Sequence, residues 1–160
     1  MNRMLFVLLF VGLAAPAMAQ RESLGIFSLW GAFREGGRCF AIAQPFQSLR
    51  PEGWQPFASI AYQPSLRLRG QLHVRLSREK RVGSAVLLRI DGRSFQLVAG
   101  ARDAWAPDAR ADAEIRTAMR TGLEMMVETR STRGVLVRDL YRLRGAATAI
   151  DAAAIACARR

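Results

Sequence analysis

The clearest pattern in the chain is a strict alternation of apolar and polar residues over residues 66–76. Leucine, glycine and valine occupy the even positions, whereas the odd positions are polar. Such a period of two is typical of a strand with one buried and one solvated face. The pattern therefore predicts a strand whose exposed face presents four basic side chains, which we call the arginine stripe: Arg67, Arg69, His73 and Arg75.

Shorter apolar runs predict further strands on both sides of this one. The runs cover residues 24–33, 39–44, 58–62, 84–90, 94–99, 125–129 and 135–143. Gly36-Gly37 separates the first two runs, and Asp91-Gly92 separates the fourth from the fifth; both dipeptides are typical of β-hairpin turns. With the alternating strand, these runs predict about eight strands in a mainly antiparallel arrangement.

Two segments have helical periodicity instead. The first has an apolar face formed by Ala111, Ile115, Ala118 and Met119. Pro107 before this face and Gly122 after it are typical of helix ends. An alanine-rich helix is predicted over residues 146–158, with Cys157 on its inward face. We therefore expect a mainly β (α+β) fold, an antiparallel β-sandwich or partly closed barrel with one internal helix and a C-terminal helix.

The first 19 residues have the pattern of a secretory signal peptide. Arg3 precedes an apolar run over residues 4–15, and Ala17 and Ala19 are small residues of the kind that a signal peptidase recognises. The run is shorter than the about 20 apolar residues that a membrane-spanning helix needs. We predict cleavage between Ala19 and Gln20, which leaves residues 20–160 as a single periplasmic or secreted domain without a membrane span.

Charge adds an expectation about partners. The chain has 160 residues with 24 Lys+Arg and 13 Asp+Glu, a formal net charge of +11. Loss of residues 1–19 would remove one base, Arg3, and no acid. A net charge of this size favours acidic partners such as an anionic envelope polymer or an envelope protein. Lys80 is the single lysine, and such a replacement of lysine by arginine is also what GC-rich codon usage produces. The arginine stripe is therefore either an anion-binding face or an ordinary solvated face.

The two cysteines, Cys39 and Cys157, are expected to pair. Export to an oxidising compartment favours a disulfide, and two buried free thiols are the alternative. Closing a loop of more than 100 residues would stabilise the fold by about 4–5 kcal/mol through loop entropy. We therefore expect the disulfide to tie the last helix to the first hairpin.

Few residues suited to catalysis or cofactor binding are present. His73 is the single histidine, and the sequence has no Gly-x-Ser-x-Gly elbow, phosphate-binding glycine loop or dedicated nucleic-acid motif. Zinc would need three or four ligands, which one histidine and a disulfide do not supply. Asp103, Asp108 and Asp112 lack the spacing of an EF-hand and suit the start of the internal helix.

These observations predict a non-enzymatic protein without cofactor or metal. Two alternatives stay open at this point. One is an envelope glycan hydrolase with paired carboxylates, because the spatial separation of acids cannot be judged from sequence. The other is a purely structural envelope-stability factor.

Several segments, in their order, resemble a known family. They are the strand with Trp30, residues 38–44 (RCFAIAQ), residues 88–92 (LRIDG), the helix end at residues 115–122, and residues 141–151 (YRLRGAATAID). Behind a signal peptide, this order resembles the invasion-associated locus B family of exported bacterial proteins over residues 24–154. The resemblance implies a mainly β envelope protein without known catalytic activity. Family members often carry a cysteine where this chain has Arg34 and a further cysteine pair, so their disulfide pattern is not expected here.

Overall fold

The computed structural model describes residues 20–50 and 53–158. The predicted signal peptide, residues 1–19, lies outside the described residues. Within the described part, no helix combines the length and the apolar character that crossing a membrane requires.

In the described part of the chain, ten strands and two α-helices build the fold. In chain order they are β1 (Glu22–Phe27), β2 (Trp30–Glu35), β3 (Arg38–Ala43), β4 (Phe57–Gln63), β5 (Leu68–Arg75), β6 (Val86–Ile90), β7 (Arg93–Ala99), β8 (Asp103–Trp105), α1 (Ala109–Thr121), β9 (Glu124–Arg130), β10 (Leu136–Arg142) and α2 (Ala146–Ala158). A short 3-10 helix, Pro64–Leu66, lies between β4 and β5. The mainly β fold with one internal and one C-terminal helix is thereby confirmed.

The strands form one antiparallel sheet in the order β1-β2-β3-β4-β5-β8-β7-β6-β9-β10. The sheet is not closed into a barrel, because β1 and β10 lie at its two ends and are not paired. Hydrogen bonds nevertheless join β10 to the first strands and to the loop that follows β3. The Trp30 indole donates to the Arg142 carbonyl at 2.9 Å, and the Phe46 N–H donates to the Leu140 carbonyl at 2.8 Å. The sheet therefore folds over itself in a sandwich-like arrangement.

The alternating pattern of β5, which continues to Leu76 just after the strand, places apolar side chains in the core. Leu72, Val74 and Leu76 are fully buried, as the alternation predicts. They belong to one cluster with buried residues from both parts of the folded sheet and from both helices, including Trp30, Ile60, Leu88, Ile115, Met125, Tyr141 and Ile150. Burial of this apolar area is the main force that holds the two halves of the sheet together.

Helix α2 covers the inner face of the first strands and is tied there by a disulfide. Cys157, in its last turn, is bonded to Cys39 of β3, with 5.8 Å between their Cα atoms. Ala153, one turn earlier, is fully buried beside the disulfide. At the other end of α2, Gly145 has φ +90°, and a Cβ atom there would overlap the Phe27 carbonyl oxygen. The predicted disulfide and the predicted helix bounds are confirmed.

The prediction of about eight strands missed two. Residues 24–33, predicted as one strand, are divided between β1 and β2 by a tight turn at Ser28, whose φ is +58°. The two strands pair with Phe27 opposite Trp30. Strand β8 has only three residues and no detectable alternation, and it pairs both with β7, which directly precedes it, and with the more distant β5.

Candidate functional site

The structure divides the arginine stripe into two parts. Arg69, His73 and Arg75 belong to β5, but Arg67 precedes it and ends the 3-10 helix. Its backbone is left-handed, with φ +56°, and its N–H donates to the Pro64 carbonyl at 3.0 Å. The prediction of one strand over residues 66–76 is therefore wrong at its start, because Pro64 begins a helical turn that leaves Leu66 63% exposed instead of buried.

At the end of β5, an acid neutralises the basic side chains. Asp103 of the neighbouring β8 accepts hydrogen bonds from His73 Nε2 at 2.7 Å and from Arg75 Nε at 3.0 Å. The His73 ring also stacks on Trp105, with 5.2 Å between ring centroids, and meets Phe57 edge-on at 5.0 Å. The sequence suggested that His73 is a solvated surface residue. It is instead a half-buried member of an ordered cluster.

The protonation states of this cluster follow from burial and hydrogen bonding. Burial lowers the pKa of His73, although the Asp103 carboxylate acts in the opposite direction. Burial alone would raise the pKa of Asp103, but hydrogen bonds from Arg75 and His73 outweigh it, and the pKa is lowered. Near neutral pH the cluster therefore holds one carboxylate, one guanidinium and a neutral imidazole. Its charges cancel, so the positive charge of the stripe is interrupted here.

The other part of the stripe, Arg67 and Arg69, is exposed and uncompensated. Within residues 20–50 and 53–158, no carboxylate forms an ion pair with either guanidinium group. Both side chains also line two clefts that lie on either side of the start of β5. The structure therefore leaves the unneutralised positive charge of the stripe beside concave surface.

The first cleft lies between the 3-10 helix, the start of β5 and the C-terminal end of α2. It has a volume of about 310 Å³ and a mostly apolar lining apart from the two arginines. The other lining residues are Tyr62, Pro64, Leu68, Ala154, Cys157 and Ala158. The disulfide fixes this end of α2 against β3, so the far wall of the cleft is covalently held in place.

The second cleft, of about 290 Å³, separates β5 from the start of α1 and has a mixed lining that includes Asp108, Asp112 and Arg116. Strand β8 pairs with residues 73–75 of β5, and no other strand of the described residues pairs with the start of β5 on this side. Side chains of α1 bind its backbone instead: Asp112 accepts from the Leu72 N–H at 2.7 Å, and Arg116 donates to the Gly70 carbonyl. Gly70 permits this approach, since a Cβ atom there would lie 2.8 Å from the Arg116 side chain.

The three aspartates that are close in sequence have three different roles. Asp108 caps α1 by accepting a hydrogen bond from the Ala111 N–H at 2.8 Å, as expected for a helix start. Asp112 binds β5, and burial raises its pKa. Asp103 belongs to β8. Sequence reasoning missed the Asp103 pairing because β8 has no pattern of its own.

Comparisons with protein-family models, with curated proteins and with solved structures found no match to this chain. Among the residues that the structure describes, no group of three or more His, Cys, Asp or Glu side chains is placed to hold a metal ion. We therefore base the functional assignment on the two arginines and the clefts beside them.

Proposed function

We propose that this protein is an exported, non-enzymatic binding protein that recognises an anionic component of the cell envelope through Arg67 and Arg69. The observation that carries the proposal is the contrast within the arginine stripe. Asp103 neutralises Arg75, whereas Arg67 and Arg69 have no acid partner among the described residues and line concave surface. An external anion would supply the missing negative charge.

The chemistry of the two side chains suits such a ligand. A guanidinium group presents planar N–H donors that match phosphate or carboxylate oxygens in bidentate geometry. Arg67 also has a left-handed backbone that non-glycine residues rarely adopt. Such conformations cluster at ligand-binding sites, where the surrounding structure holds the strain. Here the turn begun by Pro64 holds it, and the side chain is brought next to Arg69.

Three features support a location outside the cytoplasm. A disulfide such as Cys39–Cys157 is compatible with an oxidising compartment. The N-terminal 19 residues have the pattern of a cleavable signal peptide, and the order of motifs resembles the invasion-associated locus B family. A periplasmic or secreted envelope protein is the corresponding proposal.

A direct test compares two double variants with the same loss of charge. Arg67→Gln/Arg69→Gln removes the proposed site, whereas Arg93→Gln/Arg144→Gln removes two exposed arginines that line neither cleft. Binding of the exported protein to purified lipopolysaccharide is measured by titration. We expect the first variant to lose about tenfold or more in affinity, because hydrogen bonds to charged groups contribute about 1.5–3 kcal/mol each. We expect the second to stay within about threefold of wild type, since exposed charges at a distance are screened.

Salt provides a second readout of the same titration. The Debye length falls from about 10 Å at 0.1 M salt to about 3 Å at 1 M, so binding through exposed arginines must weaken as salt rises. Equal losses in both double variants would reduce the effect to net charge. Unchanged binding in the Arg67→Gln/Arg69→Gln variant would contradict the proposal that these two arginines bind the ligand.

One observation favours a second candidate, a hydrolase. The second cleft contains two carboxylates, Asp108 and Asp112, and the raised pKa of Asp112 suits a general acid. Both carboxylates already accept backbone hydrogen bonds, which favours the binding proposal. Asp112→Asn keeps the oxygen that accepts from Leu72 but cannot donate a proton as an acid. If the wild type releases sugar fragments from envelope glycan and this variant does not, the hydrolase replaces the binding protein.

A further inference from the structure

The first cleft combines an apolar interior with positive charge, a combination that fits one kind of ligand. Its lining comes from the end of α2, from Tyr62 of β4, and from Pro64 and Leu68. Arg67 and Arg69 supply its positive charge, and neither forms an ion pair with an acid that the structure describes. A purely polar anion would leave the apolar lining in water, and a neutral apolar molecule would leave the two guanidinium groups without partners.

We propose that this cleft binds a single hydrocarbon chain that carries an anionic headgroup, with the chain in the cleft and the headgroup on Arg67 and Arg69. The inference rests on the proposed function, because it names the ligand class of the same two arginines. Long-chain carboxylates and single-chain phospholipids share this chemistry.

The placement of the arginines supports this orientation. Both side chains line the first cleft and also the second cleft, whose lining is mixed, so they stand where the more apolar cleft meets the cleft with more charged side chains. A headgroup on the two guanidinium groups lies at this boundary, while a chain attached to it has the apolar lining of the first cleft within reach. Arginine also covers apolar surface with its methylene groups while its guanidinium stays in water.

The volume of the cleft limits the size of the ligand. Ligand pockets in proteins range over about 300–1,000 Å³, and this cleft lies at the lower end with about 310 Å³. One chain fits this space better than the two chains of an ordinary phospholipid. The disulfide at Cys157 fixes the wall formed by α2, so the cleft exists before a ligand arrives.

Chain length is the variable that tests the proposal. The disulfide-bonded protein is titrated with carboxylates of 4 to 14 carbons below their micellar concentrations, and with 1-tetradecanoyl-glycerol 3-phosphate. Burial of each methylene contributes about 0.8 kcal/mol, so affinity should rise up to about fourfold per added methylene until the cleft is full. Tetradecanol, which lacks the charge, should bind at least tenfold more weakly than tetradecanoate. Comparison of tetradecanoate with 1-tetradecanoyl-glycerol 3-phosphate, which have the same chain, shows whether a carboxylate or a phosphate headgroup binds more tightly.

Substitutions at Ala154 separate the chain from the headgroup. Ala154 lines the cleft and is only partly buried, so Ala154→Phe and the smaller Ala154→Val fill the cleft by different amounts. Thr148→Phe is the matched control, because Thr148 is exposed on the same helix and does not line the cleft. We expect a graded loss of the chain-length dependence at position 154 and none at position 148, with thermal unfolding used to check each fold.

The outcomes separate this inference from the proposed function. If Arg67→Gln/Arg69→Gln abolishes lipopolysaccharide binding but wild-type affinity does not depend on chain length, the ligand class is wrong and the proposed function stands. If the affinity for carboxylates depends on chain length but is unchanged in Arg67→Gln/Arg69→Gln, the headgroup assignment is wrong. If lipopolysaccharide binding is unchanged in this variant as well, the proposed function is also overturned. Loss of chain-length dependence in Thr148→Phe as well as Ala154→Phe would also contradict the assignment to this cleft.

Discussion

The two parts of the arginine stripe look alike in sequence and differ in charge. Arg67 and Arg69 are uncompensated by any described acid and stand beside two clefts, whereas His73 and Arg75 share the carboxylate of Asp103. The difference comes from a three-residue strand that reaches only the end of β5. A row of exposed basic residues therefore indicates a binding surface only once it is known which of them form ion pairs with acids in the folded protein.

The largest expected effect concerns the disulfide, which holds the cleft beside Arg67 and has no counterpart near Arg75. Cys39→Ser/Cys157→Ser removes a link between residues 118 positions apart in sequence. Loop entropy predicts a loss of about 5 kcal/mol in the free energy of unfolding. Urea denaturation of this variant and of wild type under oxidising conditions measures the difference, and a loss below about 1 kcal/mol would contradict the role assigned to the disulfide.

The contrast between the two parts is broken most directly at Asp103. Asp103→Asn removes the charge that compensates Arg75, so the end of β5 should acquire anion affinity of its own. The altered hydrogen bonds to His73 and Arg75 should cost about 1–3 kcal/mol of stability. Lipopolysaccharide titration and thermal unfolding check the two effects. Unchanged anion affinity in the Asp103→Asn variant would show that the Asp103 carboxylate is not what prevents anion binding at the end of β5.

A smaller effect is expected at Asp112, which supports the start of β5 next to Arg69. Asp112→Ala leaves the Leu72 N–H without its acceptor and should cost about 1–2 kcal/mol. Asp112→Asn keeps an acceptor oxygen and should recover most of this stability. Chemical denaturation of both variants provides the comparison, and equal losses would mean that the hydrogen bond to Leu72 is not the cause.

The smallest effect is a pH dependence confined to the compensated part. The pKa of His73 is lower in the folded protein than in the unfolded chain, so the unfolded chain binds the proton more readily. The free energy of unfolding should therefore be undiminished above about pH 6.5 and fall as the pH drops below that value. His73→Gln should lose this part of the pH dependence. If NMR spectra show that the pKa of His73 lies above its ordinary value, the predicted direction of this pH dependence is wrong.

Much of the fold was predictable because its long elements have strong periodicity. The alternation over residues 66–76 identified the buried Leu72, Val74 and Leu76, and the alanine-rich pattern identified α2 with its ends. Strand β8 and the turn at Ser28 were not predictable, since a three-residue strand has no period and Ser28 is not a typical residue for a left-handed backbone.

The candidate site was only partly predictable, because only its residues on the alternating strand belong to a periodic pattern. The four basic residues were found from the alternation alone. Their division depends on Asp103, which lies 28 residues from Arg75 in the chain, and on the 3-10 turn that moves Arg67 off the strand. The clefts depend on α2 and α1, whose positions follow from tertiary packing and a disulfide.

The central claim is that anions bind at the start of β5 and not at its end. Three single variants that each remove one positive charge test it: Arg67→Gln, Arg69→Gln and Arg75→Gln, each titrated with the same anionic ligand at low salt. We predict that the first two lose about tenfold in affinity each, while the third stays within about threefold of wild type. An Arg75→Gln variant that loses as much as the other two, or more, would contradict the account.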